Sequence, residues 1–202
     1  PMGIEGTEHL SVAQKLYYEP SKNLSLQAYG SMFFMNSYDL IQDMTFSQSR
    51  DFMAGVKLKY DVKNWFTVNL SLHGDFYDRF KRHERIDERK NVYKSKIFEP
   101  RLTLTSSYFT GHNIIFGVEH TTDELTSDRF VNRRMTTRSL HETEYFLQDE
   151  WTVNSHWMLS SGVRTNFSKA FGFMWMPKIA IKYAPDNHWS LRANYSMGYR
   201  AP

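Results

Sequence analysis

The residues able to do chemistry in this chain are scattered rather than gathered. His83-Glu84, His120 and His141-Glu142 carry imidazole and carboxylate groups that bind metal ions in principle. None shows H-E-x-x-H or another metal-site spacing, so they read as solvated polar side chains in or near loops. Asp149-Glu150 comes nearest to a general acid–base pair. Neighbours on a regular strand point to opposite faces, which separates those two carboxylates. Ser and Thr are abundant, yet none stands in a nucleophile-elbow context. The chain reads as a non-enzyme, with no catalytic residue, metal site or cofactor.

Binding chemistry is better represented. The run Lys81-Arg82-His83-Glu84-Arg85-Ile86-Asp87-Glu88-Arg89-Lys90 reads first as a solvated loop. Its functional reading is recognition of an anionic ligand or a phosphorylated lipid by Arg and Lys. Gln27, Tyr29, His73, Tyr77, Arg164 and Arg192 share the polar side of their segments and are candidates to line a ligand path. Simple hydration of that side, or packing against another part of the protein, is the plainer and favoured account of them. Net charge is +3, from 25 basic and 22 acidic residues, and the basic ones are dispersed among the acidic. No basic stripe or recognition motif supports nucleic-acid binding. Cysteine is absent, which rules out a disulfide framework and thiolate zinc sites.

The elements that position these residues follow a period of two. Leu24, Leu26, Ala28, Met32 and Phe34 interleave with Ser25, Gln27, Tyr29 and Ser31. Phe66, Val68, Leu70, Leu72 and Phe76 interleave with Thr67, Asn69, Ser71, His73 and Asp75. Strands alternate their side chains, so each run has one apolar and one polar face. The pattern predicts about ten strands, at 8–18, 23–36, 51–60, 65–79, 97–109, 113–122, 142–152, 156–166, 174–184 and 189–200. Short connections such as Asp61-Val62-Lys63-Asn64 and Pro185-Asp186-Asn187-His188 carry turn residues. They alternate with long polar ones, from Lys81 to Lys96 and from Thr122 to Leu140, which read as loops. No stretch approaches the roughly 20 apolar residues of a membrane helix. A membrane β-barrel needs no such stretch, and its turns and loops have this asymmetry.

Aromatics mark one end of the hairpins. Tyr60, Trp65, Tyr108, Trp151, Trp157, Tyr183 and Trp189 all lie beside short turns, whereas Trp175 lies towards a longer connection. Trp and Tyr favour a membrane–water interface, and such a row suits one girdle of a barrel. Soluble hairpins capped by aromatics are the plainer alternative. The predicted lipid face holds Phe52, Ala54, Val56, Leu58, Ile114, Phe116, Val118, Ile179, Ile181, Leu191, Ala193, Tyr195 and Met197. Lys57, Lys59, Glu119, Arg164, Lys182, Arg192 and Asn194 fall on the other parity. Gln14 and Asp149 sit on the apolar parity and fit it badly.

The second half also resembles a family in its wording. His112-Asn113-Ile114-Ile115-Phe116-Gly117-Val118-Glu119-His120 resembles the "hnl-x-fGvE" strand of TonB-dependent outer-membrane receptors. Tyr145 to Trp151 resembles their "Y-x-QDEW" segment, Ser160 to Arg164 their "x-x-GlR" strand, and Met176 to Ala180 their "sPk-x-a" strand. Gly198-Tyr199-Arg200-Ala201-Pro202 is similar to their "G-F-R-A-P" box, with Tyr199 where Phe is usual. Residues 1–111 match in pattern alone.

The resemblance implies an all-β antiparallel meander forming part of a 22-stranded transmembrane barrel in the Gram-negative outer membrane. It further implies a parent that imports a scarce nutrient, such as an iron–siderophore, haem, cobalamin or a glycan. That import is driven by the TonB complex acting through a plug domain. No plug or TonB box is recognisable within 1–202, and the chain reads as a piece of a longer barrel. Its expected partners are outer-membrane lipid, a small-molecule ligand and TonB through the parent's plug, with no nucleic acid. In isolation, open strand edges should make the piece self-associate. A passive porin or adhesin barrel and a soluble β-sheet binding module are the competing readings.

Overall fold

The computed structural model describes residues 5–39, 45–83, 88–131, 134–186 and 188–198, and every regular element among them is a strand. In chain order these are β1 (Glu5–Ser21), β2 (Leu24–Asp39), β3 (Thr45–Lys63), β4 (Phe66–His83) and β5 (Glu88–Ser106). They continue with β6 (His112–Val131), β7 (Arg134–Thr152), β8 (Trp157–Ser168), β9 (Gly172–Tyr183) and β10 (Leu191–Ser196). They form one ten-stranded sheet in strict sequence order. All neighbours are antiparallel, as the short connections require.

Register carries the alternation across the whole sheet. Leu26, Leu58, Leu70 and Leu102 lie side by side on β2 to β5. Phe116, Leu147, Val163 and Pro177 do the same on β6 to β9. Facing residues share a face, so the apolar side chains merge into one continuous sheet surface. No apolar side chain is buried among the described residues, and Leu16, Val56, Leu147, Ile179 and Leu191 remain 48–64% exposed. Water does not tolerate an apolar patch of that extent on a stable monomer. The wall therefore faces a non-aqueous medium. On β3 its apolar stretch runs from Tyr60 to Phe52, close to the roughly 9–11 residues that a tilted strand needs to cross a bilayer.

The long polar segments correct the expectation of loops. β5 and β6 are 19 and 20 residues long, and most of Lys81–Lys96 and Thr122–Leu140 lies in strands. Hairpins can continue without apolar contrast when polar cross-strand pairs hold them. Thr126 and Thr137 hydroxyls meet at 2.8 Å, and Lys90 pairs with Asp128 at 3.7 Å. β8 and β9 likewise extend through the expected connection at 167–173 and leave only residues 169–171 as a turn. β10 is shorter than expected, ending at Ser196. Residues 84–87, at the tip of the charged run, lie outside the described residues.

Turn chemistry is legible at two short connections. Asn154 Oδ1 accepts the backbone N–H of His156 (2.9 Å) and of Trp157 (3.0 Å). Asp186 Oδ1 accepts those of His188 (2.8 Å) and Trp189 (3.3 Å). Each side chain stands in for a missing backbone acceptor, which suits Asn and Asp to turns. The misfit at Asp149 is also accounted for. Near the short-turn end, its carboxylate meets His112 Nδ1 at 2.8 Å, and that imidazole stacks on Trp151. Gln14 lies opposite Gly30, and nothing in the structure explains its polarity.

Candidate functional site

The polar face of the sheet is the candidate site, and its side chains fall into patches set by register. Gln27, Lys57 and Ser71 share one row, and Tyr29, Gly55, His73 and Glu99 share the next. Tyr29 and His73 hydrogen-bond at 3.2 Å and stack with ring centroids 6.2 Å apart. They reach each other over Gly55. A Cβ there would run into the Tyr29 ring, so the close approach requires glycine. Lys57 Nζ stands 5.6 Å from the Tyr29 ring centroid, within cation–π range. Lys15, Gln27, Tyr29, Met53, Lys57 and His73 together line a concavity of about 460 Å³.

A second patch lies across β5 to β8. Phe146 lies over Gly117, where any Cβ would displace the ring. Arg101 and Arg164 flank that ring at 6.0 and 5.7 Å from its centroid. Each guanidinium also has a carboxylate: Arg101 pairs with Glu119, and Arg164 with Glu144 at 3.1 Å. The Arg–Phe–Arg sandwich is thus anchored from both sides. Ion pairs this exposed contribute little individually, about 0–1 kcal/mol, so their role is to fix positions.

The structure brings Gln27, Tyr29 and His73 together and separates the other candidates. Tyr77 lies further towards the long hairpins, donating to Ser49 Oγ at 3.1 Å and meeting Tyr93 edge-on at 5.6 Å. Arg164 belongs to the Phe146 patch. Arg192 stands on β10 opposite Lys182, away from both. Of the terminal box, Gly198 is within the described residues, whereas Tyr199, Arg200, Ala201 and Pro202 lie outside them. Sequence reasoning missed Arg101, Glu144 and Phe146 as site residues. Their alternation was visible, but their meeting depends on register between separate hairpins.

The interface aromatics gather into clusters at the short-turn end. Trp65 meets Tyr108 at 4.9 Å, Trp157 meets Tyr183 at 4.3 Å, and Tyr183 meets Trp189 at 6.1 Å. Tyr60, 43% exposed, ends the apolar stretch of β3 at the same level. At the opposite end Phe167 contacts both Tyr145 (6.0 Å) and Phe173 (4.8 Å), a second aromatic group where the sequence had indicated only Trp175.

Chemically, the polar face offers cations, carboxylates and aromatic rings fixed on rigid strands. Asp149 and Glu150 engage different partners, His112 and Gln148, so they form no dyad. Among the described residues, no group of three or more His, Asp or Glu is placed to hold a metal ion. Another concavity, of about 630 Å³, lies on the apolar face between Val12, Met32, Phe52 and Phe76. Volume alone therefore does not locate the site.

Known proteins share this sheet. A family model described as "TonB dependent receptor-like, beta-barrel" matches residues 9–202. The iron-regulated outer membrane virulence protein of Vibrio cholerae serotype O1 (El Tor Inaba N16961) is 26% identical over 141 residues, covering 67% of this chain and 22% of that protein. The ferric enterobactin receptor PfeA of Pseudomonas aeruginosa, solved with enterobactin, superposes with a TM-score of 0.84 at 13% identity, over 100% of this chain and 35% of that one. The siderophore receptor PirA of Acinetobacter baumannii gives a TM-score of 0.78 at 12% identity, over 99% of this chain and 34% of that one. Identities this low show the fold alone. The chain spans well under two thirds of each relative.

Proposed function

The chain belongs to the TonB-dependent receptor β-barrel family of the Gram-negative outer membrane, and from that premise we propose that it is one wall of a receptor importing an iron–siderophore-class ligand. The observation that carries this reading is sidedness: a continuous apolar wall with no buried apolar core among the described residues, backed by a polar face bearing Tyr29, His73, Lys57 and the Arg101–Phe146–Arg164 sandwich. In this reading the apolar wall meets lipid and the polar face meets the lumen of a closed barrel of 22 strands. The clusters around Trp65, Trp151, Trp157 and Trp189 form the periplasmic girdle. Strands β3 to β7 carry their polar ends beyond the outer leaflet.

The polar face suits capture rather than reaction. Gln27, Tyr29 and His73 supply hydrogen bonds and Lys57 supplies positive charge towards an anionic ligand, while Arg101 and Arg164, each paired with a carboxylate, supply guanidinium N–H donors around the Phe146 ring. A plug domain of the parent supplies the seal, and TonB acts through that plug. The names of the relatives support iron as the cargo class, since one is iron-regulated and others are siderophore receptors.

The test is uptake of a radiolabelled ferric siderophore panel by cells carrying the parent gene, with and without a functional TonB. Uptake confined to the TonB-positive strain is the expected result. Uptake that persists without TonB identifies a passive pore instead and refutes the proposal.

A further inference from the structure

Two histidines that the sequence presents as solvated and unrelated meet on the apolar side of the sheet. Beyond the Val118–Tyr145 pair on that face, His120 on β6 stands opposite Thr143 and, in the row after, His141 on β7 stands opposite Thr122, so the two histidines are diagonal neighbours in regular strand rather than in loops. Their ring centroids are 6.4 Å apart and their planes are within 16° of parallel. Each turns a nitrogen towards one oxygen: His120 Nε2 and His141 Nδ1 both stand 3.3 Å from Thr122 Oγ1. The remaining nitrogen of His120 is engaged elsewhere, with Nδ1 2.8 Å from Thr143 Oγ1.

Proton arithmetic restricts how this group is wired. Thr122 has one hydroxyl proton and cannot donate to both imidazoles. Two wirings close the network, and in one of them His120 Nδ1–H donates to Thr143, the Thr122 hydroxyl donates to His120 Nε2, and His141 Nδ1–H donates to Thr122. In that wiring His120 Nε2 is the unprotonated nitrogen of a ring held by Thr143. A ligating histidine typically has such a partner on its other nitrogen.

We propose that His120 Nε2 and His141 Nδ1 form a two-histidine site for a borderline divalent transition metal, of the Cu²⁺, Ni²⁺ or Zn²⁺ class. Neutral imidazole suits these ions, which rank high in affinity for nitrogen donors. Both nitrogens already converge on a single point. A modest rotation of each ring brings them to the ~2.0–2.1 Å of a metal–imidazole bond, with the ion displacing the Thr122 hydroxyl. His141 then carries its proton on Nε2, and water fills the open coordination positions, since His141 is exposed. Thr143 is a positioning residue here, acting through the His120 ring. The site lies on the opposite face from the Tyr29–His73 patch, so metal occupancy and ligand uptake are separable measurements.

The experiment titrates Cu²⁺ alone into the full-length receptor in detergent micelles, followed by electron paramagnetic resonance, with Zn²⁺ competition by calorimetry. Heat-modifiable migration on gels confirms folding of each variant. Wild type should show one site with hyperfine structure from two nitrogens. His120→Asn and His141→Asn should each weaken that site at least 10-fold and leave one nitrogen. Thr143→Val should weaken it by about 10–100-fold with two nitrogens retained. Thr122→Ala keeps both imidazoles and should keep binding. Wild-type affinity and spectrum in either histidine variant, or loss on Thr122→Ala alone, overturns the proposal.

Discussion

Replacing Val56 by arginine tests which side of the sheet meets lipid. Val56 lies midway along the apolar stretch of β3 between Tyr60 and Phe52, and it is 48% exposed with Ala28 and Leu72 on either side. If that face is solvated by hydrocarbon, the substitution places a guanidinium near the bilayer midplane. The cost there is about 2–4 kcal/mol, or roughly 30- to 700-fold in the folding equilibrium. Its sequence neighbour Lys57 points the other way, towards the Tyr29 ring at 5.6 Å. Lys57→Gln then forfeits one cation–π contact, worth about 0.5–1 kcal/mol. The assay is urea unfolding of the full-length receptor in phospholipid vesicles, followed by tryptophan fluorescence. Val56→Arg should lower stability by at least 2 kcal/mol more than an isosteric Val56→Thr control does, and Lys57→Gln by no more than about 1. If Val56→Arg is silent while Lys57→Gln is severe, the faces are reversed and the account of the wall is wrong.

Other expectations follow from the same geometry. Gly117→Val should expel Phe146 from between Arg101 and Arg164 and lower stability by about 1–3 kcal/mol, read as an earlier heat-modifiable transition; an unchanged transition would show the ring to be free to move. At the short-turn end, the Thr67 hydroxyl (2.6 Å) and then Lys59 (3.1 Å) hold the Asp61 carboxyl below its ordinary value of 3.8. A depressed carboxyl stabilises the fold above that ordinary value, and the contribution is lost as pH falls through its folded value. Thr67→Val should move the carbon-detected Asp61 titration upward, and no movement would remove the hydroxyl as the main cause. The isolated 202-residue chain in detergent should run as oligomers by light scattering, because β1 and β10 stand at the two ends of the sheet; a monodisperse monomer would contradict edge association.

The fold was legible where solvent imposes contrast. Leu58, Val56, Ala54 and Phe52 alternate with Lys59, Lys57 and Gly55 because one side meets lipid and the other water, and that contrast marks both strand and face. Beyond the bilayer both faces are wet. Tyr93, Lys94, Ser95 and Lys96 then look like loop, although they continue β5 as a hairpin arm. The site was legible only within single strands. Tyr29 and His73 could be placed on the polar parity, but the glycine that lets them touch belongs to the strand between them. His120 and His141 show the same limit, since a one-residue slip between β6 and β7 would put them on opposite faces.

The lack of any buried apolar side chain among the described residues also bears on the chain's history before it reaches the membrane. In ordinary globular folding the apolar residues find one another, and collapse can begin in water. Here Leu16, Leu147, Ile179 and Leu191 point outward, and the assembled sheet gives them no neighbouring layer to collapse against. Hydrophobic stabilisation arrives only with acyl chains, so insertion and folding are one event. Once inserted, the stretch from Tyr60 to Phe52 works as a depth gauge, and a thinner or thicker bilayer would tilt the strands before it unfolded them.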